Sequence, residues 1–321
     1  MRAFSVVALL TALLAPCAVH AAEAYPARPV RFIIPFPPGG NTDVLGRLLG
    51  QSLTQSLGQQ FVIDNRPGAG GTVGVSLATK ATPDGYTIVM GTFGSVLVAN
   101  SLYKGLDYNP QRDLSPIVLV SEPPGLLVVN ASSPIMTVKD LIDRARAHPG
   151  SMNYASSGAG TWNHLFGELF NSMAHVKIVH VPYRGAVPAI TDLLGGQVQM
   201  MFSPFPPALP HVRSGKLRAI AVSTLKRSSL LPTVPTVAES GLPGYSAAGW
   251  FAVLAPAKTP AAIINRLNRE FNRALQSADV KRSLAADGAE PAGGTVQELA
   301  ESIRHDSAKW GKLIHDLNIH L

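Results

Sequence analysis

Cysteine is nearly absent from this chain. The only one among its 321 residues is Cys17, inside an N-terminal apolar stretch. The remainder therefore has no disulfide, no thiolate metal ligand and no cysteine nucleophile. Long apolar runs are also missing after that stretch, which excludes a later transmembrane helix, since a span needs about 20 such residues. Histidines are scattered without a His-x-x-x-His pair, so no metal site is read and no cofactor is expected. The formal net charge is +7 with a pI near 9.6, yet the basic residues form no stripe. Lys226-Arg227 and Lys281-Arg282 are only pairs, and no nucleic-acid-binding motif accompanies them. The surplus charge either speeds the approach of small anions or simply keeps the surface soluble. There is no repeat of solenoid length and no low-complexity tail.

The N-terminus reads as a secretory signal. Arg2 supplies the positive region, Phe4 to Ala15 the apolar core, and Ala22-Glu23-Ala24 the cleavage site before Tyr25. A retained anchor and lipoprotein processing at Cys17 are the alternatives. Pro16 before the cysteine argues against the second, and a cut after Ala21 stays open. The expected location is the periplasm.

Beyond the signal, strand-like and helix-like segments alternate. Candidate strands are Val30 to Pro35, Phe61 to Asn65, Tyr86 to Gly91, Leu126 to Asn130, Asn153 to Ser156, Ile178 to Val181, Gln199 to Phe202, Leu217 to Val222 and Gly249 to Leu254. Helix starts are marked by Thr137-Val-Lys-Asp140, by Thr259 with Pro260, and by Thr295-Val-Gln-Glu298. The pattern predicts α/β lobes with largely parallel sheets. Two passages, Pro116 to Leu126 and Pro243 to Trp250, divide the chain. Residues 125–246 form one expected lobe, and 25–124 pairs with 247–321 as the other. Two passages make a hinge, and a cleft closing around a ligand follows from such a layout.

The best candidate site is the loop Phe36 to Asp43. It follows an apolar strand and opens a helix bearing Leu45, Leu48, Leu49 and Leu53 on one face. Gly39 and Gly40 let backbone approach a ligand, and the helix start leaves N–H groups for an anion. Phe36, Pro38, Asn41 and Thr42 join the candidate set, while Asp43 is expected to cap the helix. A plain strand–helix connection is the other reading. A matching loop is Ala155-Ser-Ser-Gly-Ala-Gly-Thr161, where Ser156, Ser157, Gly158 and Thr161 offer hydroxyls and backbone at another helix start. His164 either meets a ligand or bonds to backbone. Tyr183 would face the cleft; Arg184 is either a bidentate carboxylate clamp or a surface residue. Phe202 would supply an apolar wall, and Asn65 to Gly74 a tight turn with a possible place on the cleft rim. A serine near a histidine also raises a hydrolase reading, but Gly-x-Ser-x-Gly is absent and no orienting acid is assigned.

These blocks together strongly resemble the tripartite tricarboxylate transporter substrate-binding family, the Bug family of periplasmic receptors. The similarity is carried by Pro35-Phe-Pro-Pro-Gly-Gly-Asn-Thr-Asp43, Asn65-Arg-Pro-Gly-Ala-Gly-Gly71, Pro83-Asp-Gly-Tyr86, Asn153 to Thr161, His180-Val-Pro-Tyr-Arg-Gly185 and Asp192-Leu-Leu-Gly-Gly-Gln197, in order from about Tyr25 onward. The resemblance implies a two-lobe periplasmic-binding-protein architecture with a hinged central cleft. It implies a small organic carboxylate as ligand, separate membrane permease subunits as partners, and no catalysis. A sensing module signalling to a membrane receptor is the alternative, with a secreted serine-dependent enzyme behind it. The loop after the third strand adds Thr92 and Ser95 to the candidate set. There Val96 stands where many members carry histidine, and His175 stands where glycine is usual. Phenyl walls and Val96 would favour a partly apolar ligand.

Overall fold

Val30–Ile34 (β1) is a continuous apolar run, and four of its five residues are buried, as expected of a strand covered on both faces. The computed structural model describes residues 25–319; the signal segment 1–24 lies outside them. After β1 come helix Asn41–Leu57 (α1), strand Phe61–Asn65 (β2), helix Thr72–Thr79 (α2) and strand Thr87–Thr92 (β3). A π turn at Phe93–Leu97 leads to helices Ala99–Leu102 (α3) and Pro110–Asp113 (α4) and to strand Leu114–Ser121 (β4). Next are strand Leu126–Asn130 (β5), helix Val138–Ala147 (α5), strand Asn153–Ser156 (β6) and helix Trp162–Ala174 (α6). Strand Val179–Pro182 (β7), helix Ala186–Leu194 (α7), strand Met200–Ser203 (β8), helix Phe205–Arg213 (α8) and strand Leu217–Val222 (β9) follow. The chain ends with strand Phe251–Pro256 (β10) and helices Ala261–Leu275 (α9), Ala278–Ala286 (α10) and Val296–Asp316 (α11).

The strands make two five-stranded sheets, ordered β2-β1-β3-β10-β4 and β7-β6-β8-β5-β9. The orders correspond strand for strand. In each sheet one strand runs against its neighbours: β10 pairs antiparallel with β3 and β4, and β5 with β8 and β9. The expectation of largely parallel sheets holds except for these strands. Both are the ones that enter directly from the other sheet, so they arrive from the opposite end.

The two crossings lie side by side. Gly249 N–H donates to the Pro123 carbonyl at 2.7 Å, and Pro124 bridges Ala248. The Ser223 hydroxyl accepts from Gly125 N–H and donates to the Ala247 carbonyl. Behind them α11 spans both lobes. Trp310 packs edge-on to Phe93 with ring centroids 5.0 Å apart and stacks on Phe166 at 5.7 Å. One buried cluster therefore runs from Phe93 and Leu97 through Trp310 to Phe166, Phe202 and Tyr245.

Local signals explain most helix boundaries. Thr137 and Thr295 cap α5 and α11 with reciprocal Asp140 and Glu298 contacts. For α9 the cap is Pro260 rather than Thr259, whose hydroxyl turns back to the Pro256 carbonyl. His175 ends α6 at φ 52°, ψ 49°, the left-handed position that suits glycine. That is the physical content of its departure from the usual residue. Gly74 is required by close approach: a Cβ there would lie 2.8 Å from Pro35 Cβ and 2.9 Å from the Arg66 carbonyl.

Candidate functional site

Three strand ends converge between the lobes. Phe36 follows β1, Thr92 ends β3, and Ser157 follows β6. They border a cavity of about 450 Å³, within the ~300–1,000 Å³ range usual for small-molecule sites. Ligands of open α/β sheets collect at such carboxyl ends. The first lobe contributes Phe36, Thr42, Gly70, Thr92, Phe93, Gly94 and Tyr103; the second contributes Ser157 to Trp162. Pro123, Gly249, Trp250 and Phe251 close it at the crossings. Among the described residues, none of those lining it is charged.

The loop before α1 is held by one carboxylate. Asp43 accepts from Gly39 N–H at 2.9 Å, from Asn65 Nδ2 at 2.9 Å and from Arg47 Nε at 3.0 Å. Asn65 Nδ2 also donates to the Phe36 carbonyl at 3.0 Å. Burial alone would raise the Asp43 pKa, but the Arg47, Gly39 and Asn65 hydrogen bonds outweigh it and hold the group below the usual carboxylate range. Asp43 thus reaches back to the loop, while Gly40 occupies the cap position without any side-chain cap. The N–H groups of Asn41, Thr42 and Asp43 have no acceptor within the helix. Thr42 is 8 % exposed, and its hydroxyl has no hydrogen-bond partner among the described residues.

In the second lobe most loop donors are already engaged. Ser157 N–H goes to Asn163 Oδ1 at 3.2 Å, Gly158 N–H to Ser156 Oγ at 3.1 Å, and Gly160 N–H to His164 Nδ1 at 3.1 Å. Thr161 donates its hydroxyl to the Gly158 carbonyl at 2.6 Å. Ser157 Oγ accepts from Asn163 Nδ2 at 2.9 Å, which leaves its own proton to give. Ala159 and Trp162 N–H also remain, and α6 has no side-chain cap.

A histidine pair stands behind this loop. Ser156 Oγ lies 2.6 Å from His180 Nε2, and the His164 and His180 rings stack with centroids 3.9 Å apart. Burial lowers His164 to about 4. Burial, then the neighbouring His164, lowers His180 to about 3. Both are neutral when folded, whereas the unfolded groups take up protons near 6.5. Stability is complete above pH 6.5 and falls as pH drops toward the folded values, by up to about 1.4 kcal/mol per pH unit for each histidine. Asp287, raised to about 6 by burial, acts oppositely in that window, so the useful reading is a difference. The loss of stability between pH 7 and 4.5 should be shallower in His180→Gln than in the parent, by urea unfolding; parallel curves would refute the assignment.

Of the residues singled out from sequence, Phe36, Thr42, Thr92, Ser157, Gly158 and Thr161 line the cavity. Pro38, Gly39 and Gly40 are exposed beside it, and the Asn41 amide is taken by Asp287 at 2.8 Å. Ser95 is buried against Thr92, their hydroxyls 3.0 Å apart. Ser156 and His164 lie behind the loop, so the backbone alternative for His164 is the one observed. Tyr183 donates to Asp192 at 2.7 Å, and Arg184 is exposed and not among the lining residues, although Gly185 N–H beside it donates to the Ser157 carbonyl. Phe202 is core, stacked on Tyr245, and Val96 is core too; neither is a wall of the cavity. Gly70 places the Asn65 to Gly74 turn on the rim. Sequence reasoning did not single out Gly94, Tyr103, Ala159, Trp162, Trp250 or Phe251. Trp162 had a usable signal, as the first residue of a helix opening at Thr161; Trp250 and Phe251 were legible only as a crossing.

The family model described as tripartite tricarboxylate transporter family receptor matches residues 45–319. Protein BugT of Bordetella pertussis is 39 % identical over 316 residues, spanning 98 % of this chain and 97 % of that protein. The structure of R. palustris Rpa4515 with adipate superposes with a TM-score of 0.80 at 38 % identity, over 92 % of this chain and 100 % of that one. MatC (Rpa3494) from Rhodopseudomonas palustris with bound malate gives 0.76 at 32 % identity, over 90 % and 100 %. With its paired sheets, crossing strands and interlobe cavity, the chain belongs to the tripartite tricarboxylate transporter receptor family and is a periplasmic solute-binding protein of that family.

Proposed function

We propose that this protein captures a small organic carboxylate between its lobes and delivers it to separate membrane permease subunits. The observation that carries the reading is an uncharged interlobe cavity bordered by two uncapped helix starts. Helix N-termini favour anions through unpaired N–H groups and the helix dipole. The donors left over include Thr42, Gly94 and Tyr103 on one side, Ser157, Ala159 and Trp162 on the other, and the buried Trp250 indole N–H at the crossing. Related proteins holding adipate and malate support the ligand class. Lobe closure expels water, which strengthens those hydrogen bonds and favours the shut form by differential affinity. In this reading the signal is removed after Ala24, and residues 25–124 and 247–321 move as one body against 125–246.

The Ser156–His180 pair is read as loop support rather than as a nucleophile and base. Ser156 is fully buried, its oxygen accepts the Gly158 N–H, and among the described residues no carboxylate bonds His180. Native mass spectrometry of freshly purified protein should reveal a retained acid. Thermal-shift titration with mono-, di- and tricarboxylates should find at least one that stabilises it. Ser157→Ala should weaken that ligand about tenfold or more, since it removes a hydrogen bond to a charged group. If no acid raises the melting temperature, or if Ser157→Ala binds as tightly as the parent, the reading fails.

A further inference from the structure

Six aromatic side chains line the cavity: Phe36, Phe93, Tyr103, Trp162, Trp250 and Phe251. No lysine, arginine or histidine accompanies them. Positive potential there comes from the starts of α1 and α6, each equivalent to about half an elementary charge, and at α1 the ionised Asp43 in the first turn offsets part of it. What remains suffices for no more than one carboxylate. A second carboxylate would find no counter-charge and would face ring surfaces whose π faces are themselves negative. Arg184, the one guanidinium considered as a clamp, is exposed and is not among the lining residues. Thr42 and Trp250, whose buried indole N–H has no partner among the described residues, line this same space, so the donors and the rings share one chamber.

We infer that the site selects an acid with a single carboxylate on a flat, uncharged, apolar body, the arylcarboxylate and arylalkanoate class. This rests on the carboxylate-receptor reading and narrows it. The carboxylate takes the N–H and hydroxyl donors of the two helix starts. The planar body lies among the rings, where offset and edge-on contacts reward flatness beyond area alone. Phe36 is half-buried on a loop and can be altered without opening the deep core, whereas the Trp162 ring packs on the buried Phe166 with centroids 4.9 Å apart.

Isothermal titration of the purified protein with phenylacetate, benzoate, hexanoate, adipate and malate tests this. The aromatic monocarboxylates should bind at least about tenfold tighter than adipate or malate. Phe36→Leu should weaken phenylacetate about five- to tenfold and hexanoate by a clearly smaller factor, and a cooperative melting curve like the parent's shows that the variant folds. Adipate or malate binding as tightly as phenylacetate would overturn the single-carboxylate inference and leave the carboxylate receptor standing. Equal losses for phenylacetate and hexanoate would overturn the role of the rings. If none of the five acids binds, the inference falls, and the carboxylate-receptor reading is decided by the wider thermal-shift titration.

Discussion

Trp310→Ala should lower stability by about 3–5 kcal/mol, the usual cost of emptying a large aromatic site in a core. For a chain of this length that amounts to a melting-temperature loss on the order of 10 °C. The indole is 3 % exposed and touches Phe93 of one lobe and Phe166 of the other. It lies on α11, capped at its start by the Thr295–Glu298 pair. Its removal loosens the back of the crossings as well as the core, so affinity for the cavity's ligand should fall with stability. Trp310→Phe keeps a ring and should recover more than half of the loss. A drop of under about 2 °C for the alanine variant would mean that the lobes do not depend on this contact.

Asp43→Ala should act directly on the loop before α1. It leaves Gly39 N–H, Asn65 Nδ2 and Arg47 Nε without their shared acceptor. The expected cost is about 2–4 kcal/mol, because donors that lose a charged acceptor forfeit more than a neutral bond. Phe36 and Thr42 would lose their fixed placement at the cavity mouth, and affinity should fall at least tenfold. The dependence on pH follows from the lowered pKa. The folded form holds the ionised carboxylate more strongly than the unfolded chain does, whose ordinary value is 3.8. The stabilisation is therefore complete above that value and disappears as pH falls through the lower folded one. Unfolding free energies of parent and variant should differ at pH 7 and draw together as pH falls below 3.8 through the lower folded value. A constant difference across that range would assign the effect to packing instead of charge.

Much of this architecture is written locally. The runs at Phe61–Asn65, Leu126–Asn130, Asn153–Ser156 and Leu217–Val222 are strands from end to end. Leu126–Asn130 and Leu217–Val222 are apolar and β-branched runs, and Phe61–Asn65 begins as one, so tertiary context had little to alter there, while Asn153–Ser156 carries only Tyr154 and Ala155 as apolar signal. The last strand was expected at Gly249 to Leu254 and begins two residues later, at Phe251. The crossing intervenes there, with Gly249 N–H spent on Pro123. Strand polarity was less accessible. Local pattern does not say from which side β5 or β10 enters its sheet, and only the exchange of chain between lobes decides it.

For the site, glycine- and hydroxyl-rich loops after β1 and β6 were legible, since a helix start after a strand carries its own signal. What could not be read was occupancy. Gly39 N–H and most N–H groups of Ser157 to Thr161 looked available, yet Asp43, Asn163, Ser156 and His164 consume them. Those partners stand four to six residues away along the chain in three of the four cases, within reach only once the helix has formed. Tyr103 and Trp250 come from segments distant in sequence, brought together by the sheet order.

The position of β10 between β3 and β4 governs when each half of the molecule can be completed. A polypeptide emerging N-terminus first has all five strands of its second sheet by residue 222. The first sheet must wait with a gap until residues 251–256 arrive. The later-encoded lobe is thus the earlier one to close, and β3 and β4 stay unzipped from their shared neighbour until the chain is nearly finished.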